Sequence, residues 1–141
     1  MLNWLNTRFR KDDSGVAAIE FALFAPILAM SLVFLVDLGN FALQRTDMES
    51  ALRSGVQYFM NGGSDLDKAK EVVLASWTSK PANATVVVER FCMCESAEHA
   101  CNTTCGDGSY PLSYSRIRAV AQYENMLVDL TNNADQTVRV R

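Results

Sequence analysis

The chain has 141 residues and a formal net charge of −3 at pH 7. Because nucleic-acid-binding proteins usually carry a basic face or stripe, this charge balance argues against a nucleic-acid partner. Once one long apolar run near the N-terminus is set apart, the remaining length suits one small soluble domain and not two.

The apolar run follows a short basic leader, residues 1–15, and extends from Val16 to Val36. An α-helix of that length reaches roughly 30 Å, which is enough to cross the hydrocarbon core of a bilayer. A secretory signal peptide would have a shorter apolar region that ends in a small-residue cleavage site, and residues 36–43 offer no such site. The run is therefore predicted to be a transmembrane helix over residues 16–36.

The charges that flank this run predict its orientation. Arg8, Arg10 and Lys11 precede it, whereas Arg45 and Arg53 are the first basic residues after it. The positive-inside rule then places the N-terminus in the cytoplasm and the rest of the chain on the far side of the membrane.

A single carboxylate, Glu20, lies inside the apolar run. An ionisable side chain at the centre of a spanning helix costs about 2.5 to 3.5 kcal/mol on insertion scales, and such side chains are retained mainly for function. Glu20 is therefore predicted to have a partner.

The residues around Glu20 carry a family resemblance. Gly15 is followed by four small or apolar residues, which begin with Val16, and then by Glu20 and Phe21. This pattern resembles the prepilin-peptidase site of type IV pilins, in which cleavage follows the glycine and the glutamate becomes the fifth mature residue. The resemblance implies cleavage between Gly15 and Val16, and pairing of the Glu20 carboxylate with the N-terminal amine of a neighbouring subunit.

A longer sequence motif around this site is more specific than the glycine-to-glutamate spacing alone. It runs from Ser14 to Leu23 and continues with Pro26 and with Val36-Asp37-Leu38-Gly39. It resembles the TadE-like pseudopilins of the tight-adherence (Flp) pilus system. That family implies a bacterial inner-membrane location and a domain over residues 37–141 in the periplasm. It also implies three kinds of partner: a prepilin peptidase, other pilins or pseudopilins, and the Tad assembly machinery.

The first helix is predicted to continue beyond the membrane to Met60. Residues 37–60 contain no proline, and their apolar side chains recur near helical spacing before Asn61-Gly62-Gly63 supplies a stop. This gives one long helix with a transmembrane half and an amphipathic periplasmic half. The alternative is a membrane anchor followed by a separate surface helix, with a break at Gly39 and Asn40.

A second, shorter helix is predicted from Asp65 to Thr78, before Lys80-Pro81 ends it. Ser64 and Asp67 resemble a capping pair at its start. One apolar stripe lies opposite its charged residues and is interpreted as core packing: Leu66, Ala69, Val72, Val73 and Trp77.

Three strands follow, at Thr85–Phe91, Arg116–Glu124 and Thr137–Arg141. They predict a small three-stranded antiparallel sheet that packs its apolar face on the two helices, which makes the fold class α+β and pilin-like. Residues 125–135 are predicted to be a loop in which Met126, Leu127 and Leu130 fold onto the edge of the core.

Between the first two strands lie all four cysteines, with the spacing C-x-C-x6-C-x3-C: Cys92, Cys94, Cys101 and Cys105. Zinc binding is the alternative to disulfides, but the first pair lacks the usual C-x2–4-C spacing and a periplasmic location favours disulfides. A bridge between Cys92 and Cys94 would close a very tight ring. Two pairings remain, 92–105 with 94–101 or 92–101 with 94–105, and the nested first form is preferred.

No catalytic motif appears. The one histidine, His99, lies in the cysteine loop and is interpreted as a solvated residue, and no nucleophile, phosphate-binding or metalloprotease motif is present. The sequence therefore predicts neither an enzyme nor a cofactor, metal or small-molecule substrate.

Two functions are compatible with these features. The first is a minor pseudopilin, cleaved by a prepilin peptidase, that acts in assembly of a Tad-type pilus for adhesion and biofilm formation, either within the filament or only in priming it. The second is an uncleaved inner-membrane protein that serves as a periplasmic scaffold or binding module.

Overall fold

The structure is a computed structural model that describes residues 14–124 and 129–140. The described residues divide after Leu38 into two compact units. The predicted leader lies outside the described residues except for Ser14 and Gly15.

Helix α1 is Ser14–Met60 and contains Pro26. The predicted continuity of the first helix is confirmed, and no break occurs at Gly39 and Asn40. Its apolar N-terminal part is long and apolar enough to cross a membrane, and none of its most apolar window is buried. Large side chains such as Phe21 and Leu23 are more than 60% exposed there. An apolar surface of this extent is unfavourable in water and is suited to lipid or to other apolar helices.

Two glycines, Gly62 and Gly63, terminate α1. Gly62 adopts a φ of +89°, a left-handed conformation that glycine enters without a Cβ penalty. The Gly62 N–H donates to the Phe59 carbonyl and the Gly63 N–H to the Tyr58 carbonyl, both at 3.0 Å. This is the Schellman arrangement, which satisfies carbonyls of the last helical turn.

Helix α2 is Leu66–Ser76. The predicted Ser64–Asp67 capping pair is wrong, because the N-cap is Asp65. Its Oδ1 accepts hydrogen bonds from the backbone N–H groups of Asp67 at 2.9 Å and Lys68 at 3.2 Å. Asp65 has extended backbone angles, which direct its short carboxylate onto these otherwise unpaired donors.

The sheet has four antiparallel strands in the order β2-β1-β3-β4, one more than predicted. Their bounds are β1 Thr85–Cys94, β2 Ala97–His99, β3 Leu112–Tyr123 and β4 Leu130–Arg139. The additional strand is β2, whose three residues are all exposed. It forms because the chain folds back on β1 in a tight hairpin, so that backbone pairing and not burial defines it.

Strand β4 is longer than predicted. It begins at Leu130, so residues 130–135 belong to the sheet and not to the predicted loop. Each residue of β4 pairs with one of β3, from Leu130 opposite Tyr123 to Arg139 opposite Tyr114. Met126 and Leu127 of the predicted loop lie outside the described residues, as does Arg141.

The core of residues 39–141 lies between the sheet, α2 and the C-terminal part of α1. It confirms the predicted packing of the apolar sheet face on both helices. Its buried members come from these three elements and from the residue that directly follows α2, Trp77: Met48, Ala51, Leu52, Phe59, Ala69, Val73, Trp77, Val86, Ile117, Ala119, Ala121 and Tyr123. Burial raises the pKa of the Tyr123 hydroxyl.

Candidate functional site

The predicted processing site lies in the first turns of α1, which begins at Ser14. Gly15, Val16, Glu20 and Phe21 are all exposed. A Cβ atom built on Gly15 would have no other atom within 4 Å. The residues on both sides of the predicted cleavage point are therefore exposed.

Glu20 lies one helical turn after Val16. Residues four apart face the same side of a helix, so the carboxylate and the backbone nitrogen of Val16 lie on one face. Glu20 is the only ionisable residue between Gly15 and Val36. It forms no ion pair or hydrogen bond with any residue in the described parts of the chain.

The other polar side chain of this segment is internally satisfied. The Ser31 hydroxyl donates to the Ile27 carbonyl of its own helix at 2.8 Å. Pro26 lacks an N–H group and leaves the carbonyl four residues earlier without its helical donor. Glu20 is thus the one charge in this stretch, and any partner of its carboxylate would lie outside the described residues.

The second region singled out by the sequence is the cysteine hairpin. Cys92 is bonded to Cys101, and Cys94 to Cys105, with Cα–Cα distances of 5.2 and 5.6 Å. Disulfides are therefore confirmed, but the preferred nested pairing is wrong.

The β1–β2 hairpin explains the pairing. Its turn at Glu95 and Ser96 brings His99 opposite Cys92, so Cys101 lies only two residues beyond that pair. Glu95 has a φ of +56°, as a tight turn of this kind requires. Cys94 lies beside the turn and is reached instead by Cys105, after the chain has folded back.

His99 is exposed, and its Nδ1 is 3.1 Å from the Thr103 hydroxyl oxygen and 3.2 Å from the Ala100 carbonyl oxygen. In the same loop, hydrogen bonds from the Ser109 hydroxyl and backbone lower the pKa of the Asp107 carboxyl. Within the described ranges no group of three or more His, Cys, Asp or Glu side chains is placed to hold a metal ion. The hairpin is thus a small covalently closed structure whose polar groups bond locally.

The sequence did not predict a charged and aromatic cluster on the outer face of the sheet. Arg116 donates to Glu98 at 2.9 Å and to Glu89 at 3.1 Å. Its guanidinium lies 4.4 Å from the centre of the Phe91 ring, which stacks on Tyr114. The hydrogen bond to Glu98 raises the pKa of Arg116. Because Glu98 belongs to the unpredicted strand β2, this link between three strands had no signal in the sequence pattern.

Comparison with known proteins gives one finding. Residues 15–57 match the model of a protein family described as TadE-like protein. No curated protein matches, and no solved structure matches. The matched residues include Gly15, Val16, Glu20 and Phe21, and end just before the Schellman turn that closes α1.

Proposed function

We propose that this chain, whose residues 15–57 match the TadE-like family model, is a minor pseudopilin associated with the Tad pilus system. A prepilin peptidase cleaves it between Gly15 and Val16, and α1 then packs beside the helices of other pilins or pseudopilins. The TadE-like family is not known for enzymatic activity, and the proposed role is structural.

The observation that carries this proposal is the pairing of an exposed Gly15–Val16 bond with a carboxylate one turn later. Cleavage there creates an amine at Val16. A carboxylate without a described partner, in an otherwise uncharged helix, is suited to bind such an amine on an adjacent subunit.

An ion pair of this kind fixes the register between neighbouring helices more than it adds to their stability. Removing two charges from water costs several kcal/mol per ion, and the attraction between them offsets that cost only when the geometry is good. A helix displaced by one turn along its neighbour would bury both charges unpaired. Glu20 would thus select one arrangement of packed helices from many apolar ones of similar energy.

The proposed location is the bacterial inner membrane, which α1 crosses once. Its apolar N-terminal part supports a membrane anchor. The predicted segments at residues 1–15, 16–36 and 37–141 become, in this proposal, a cytoplasmic leader, a spanning segment and a periplasmic domain. The orientation rests on the basic residues of the leader.

The experiment that tests the assembly role compares Glu20→Gln with Glu49→Gln. Both variants remove one glutamate carboxylate from α1, but Glu49 is half-buried and forms a local ion pair with Arg45 at 3.2 Å in the part of the helix beyond the apolar run. We expect Glu20→Gln to reduce piliation at unchanged membrane abundance and unchanged disulfides, and Glu49→Gln to leave piliation intact. Normal piliation in Glu20→Gln at normal protein level would reject the assembly role.

A further inference from the structure

A cleft of about 560 Å³ lies where α1 ends beside the sheet. Six residues define its chemistry: Phe59, Met60, Arg90, Ser113, Arg139 and Val140. Two of its lining residues are arginines and none is acidic, although the whole chain carries a net charge of −3. Arg139 pairs with Tyr114 and shares the outer face of the sheet with it, so Arg90 is the cation that the inner face contributes to the cleft.

Arg90 is the unusual member of this cleft. It lies on the inner face of β1, the face of Val86, Val88 and Cys92, of which Val86 and Cys92 are buried. Its side chain is exposed and is therefore accessible to a ligand in the cleft. Its Nη2 donates to the Ser64 carbonyl at 2.8 Å, and it forms no ion pair with any residue the structure describes.

This hydrogen bond orients the Arg90 guanidinium and occupies only one of its N–H donors. A guanidinium has five N–H donors in a fixed fork, so four remain after the bond to Ser64. Holding the group in place before a ligand arrives lowers the entropic cost of binding. The arrangement is therefore a preoriented monocation with donors available to a carboxylate.

Beside this cation the cleft offers apolar surface. Met60 is 73% exposed, and the Phe59 and Val140 side chains lie in the same wall. The cleft thus suits a ligand that presents one negative group next to an apolar group. Partial negative charge at the C-terminus of α1 disfavours any anion in the cleft, and it disfavours a doubly charged phosphate more than a single carboxylate.

We propose that this cleft is a docking site for an acidic segment of a partner protein, in which a Glu or Asp carboxylate binds Arg90 and a neighbouring apolar side chain packs on Met60. The assignment goes beyond the pseudopilin role and does not depend on cleavage at Gly15. It gives residues 39–141 a recognition surface of their own, separate from the helix contacts of the apolar run.

The test uses the full-length protein in detergent micelles, with methionine methyl groups labelled for NMR. The probes are two blocked pentapeptides, acetyl-Ala-Leu-Glu-Leu-Ala-amide and its Gln counterpart. We expect the Glu peptide to shift the Met60 methyl signal and not that of Met93, which lies on the opposite face of the sheet. Because bonds to a charged partner are the stronger ones, we expect the Glu peptide to bind about tenfold more tightly than the Gln peptide.

Variants assign the effect to Arg90. Arg90→Gln should abolish the preference for the Glu peptide, whereas Arg118→Gln, on the exposed outer face of the next strand, should retain it. Arg90→Glu should reverse it in favour of a pentapeptide with Lys at the central position. If Arg90→Gln proves unfolded, the comparison of the two peptides on the unmodified protein still decides the outcome.

Three results would overturn the proposal. Equal affinity for the Glu and Gln peptides would leave Arg90 as only a brace for the turn after α1. A preference that survives in Arg90→Gln would place the site elsewhere. Displacement of the Glu peptide by inorganic phosphate at equal concentration would identify a general anion site. None of these measurements requires a pilus, so the outcome is separable from that of the Glu20 experiment.

Discussion

Gly55 in α1 lies directly against Ile117 in β3: a Cβ atom built on Gly55 would be 2.7 Å from Ile117 Cδ1 and 2.6 Å from Val73 Cγ2. Both distances are shorter than real Cβ atoms adopt, so the absence of a side chain is what lets α1 approach the sheet and α2 this closely. The contact lies at the centre of the core of residues 39–141, where both Ile117 and Val73 are fully buried.

Substitution at Gly55 should therefore destabilise this core. Overpacking costs about 1 to 3 kcal/mol. Against that, replacing a glycine in a helix by alanine gains about 1 kcal/mol. We expect Gly55→Ala to lower the free energy of unfolding by up to about 2 kcal/mol, and the larger Gly55→Val to lower it further. Denaturant unfolding in detergent, followed by near-UV circular dichroism, measures both.

The same helix provides a matched control. A Cβ atom on Gly39 would meet nothing within 4 Å, so Gly39→Ala should gain only the helix propensity and be neutral or slightly stabilising. Ile117→Val, which removes Cδ1, should partly restore Gly55→Val. Wild-type stability in Gly55→Val would show that the helix does not pack as described.

The start of α2 gives a second prediction, which separates two adjacent residues. Asp65→Ala removes the acceptor of two backbone N–H groups and should lower the free energy of unfolding by about 1 kcal/mol. Ser64→Ala should have little effect, because Ser64 contributes its backbone carbonyl to Arg90 and not a capping side chain. Equal losses in the two variants would contradict Asp65 as the cap.

The disulfide pairing is a third prediction. Proteolysis without reduction, followed by mass spectrometry, should yield peptides that join Cys92 to Cys101 and Cys94 to Cys105. In the chain-entropy model each of these short loops is worth roughly 3 kcal/mol, a large share of the stability of a small domain. The paired variant Cys92→Ala with Cys101→Ala should therefore reduce abundance in an oxidising compartment.

Replacing both cysteines of one bridge leaves no unpaired thiol. The double variant Cys94→Ala with Cys105→Ala removes the other bridge and is the matched comparison. Peptides joining Cys92 to Cys105 would restore the nested pairing and contradict the hairpin register. Four free thiols, or a bound zinc ion, would reject disulfides altogether.

Local signals predicted most of the helical architecture. Gly62 and Gly63 end α1 where the sequence indicated. The periodic apolar residues of α2 are buried or half-buried, as expected of a stripe that packs on a core. These elements were predictable because a 3.6-residue period and a glycine stop are properties of adjacent residues.

The missed elements are stabilised by pairing across the chain. Strand β2 has no buried side chain, so no apolar pattern marks it. In β4 the inward-facing positions mix apolar Leu130, Ala134 and Val138 with polar residues, and Asn132 is 1% exposed although its side chain is polar. Both strands form because β1 and β3 offer them backbone partners, and such partners are not encoded in local spacing.

The candidate sites differ in the same way. Gly15, Val16, Glu20 and Phe21 are adjacent residues with a familiar spacing, so the sequence alone singled them out. The cleft at Arg90 depends on Ser64, which is 26 residues earlier in the chain. Only the folded sheet brings that guanidinium to the end of α1.

Processing at Gly15 is the central claim, and the mature N-terminus tests it most directly. The measurement is the intact mass and N-terminal sequence of the protein extracted from membranes of a strain with an active prepilin peptidase. Gly15→Leu, analysed in parallel, should yield only the longer form, because a bulky residue replaces the small one before the cut. We predict that the unmodified protein begins at Val16. A protein that still begins at Met1 would contradict the pseudopilin proposal and favour a permanently anchored periplasmic scaffold.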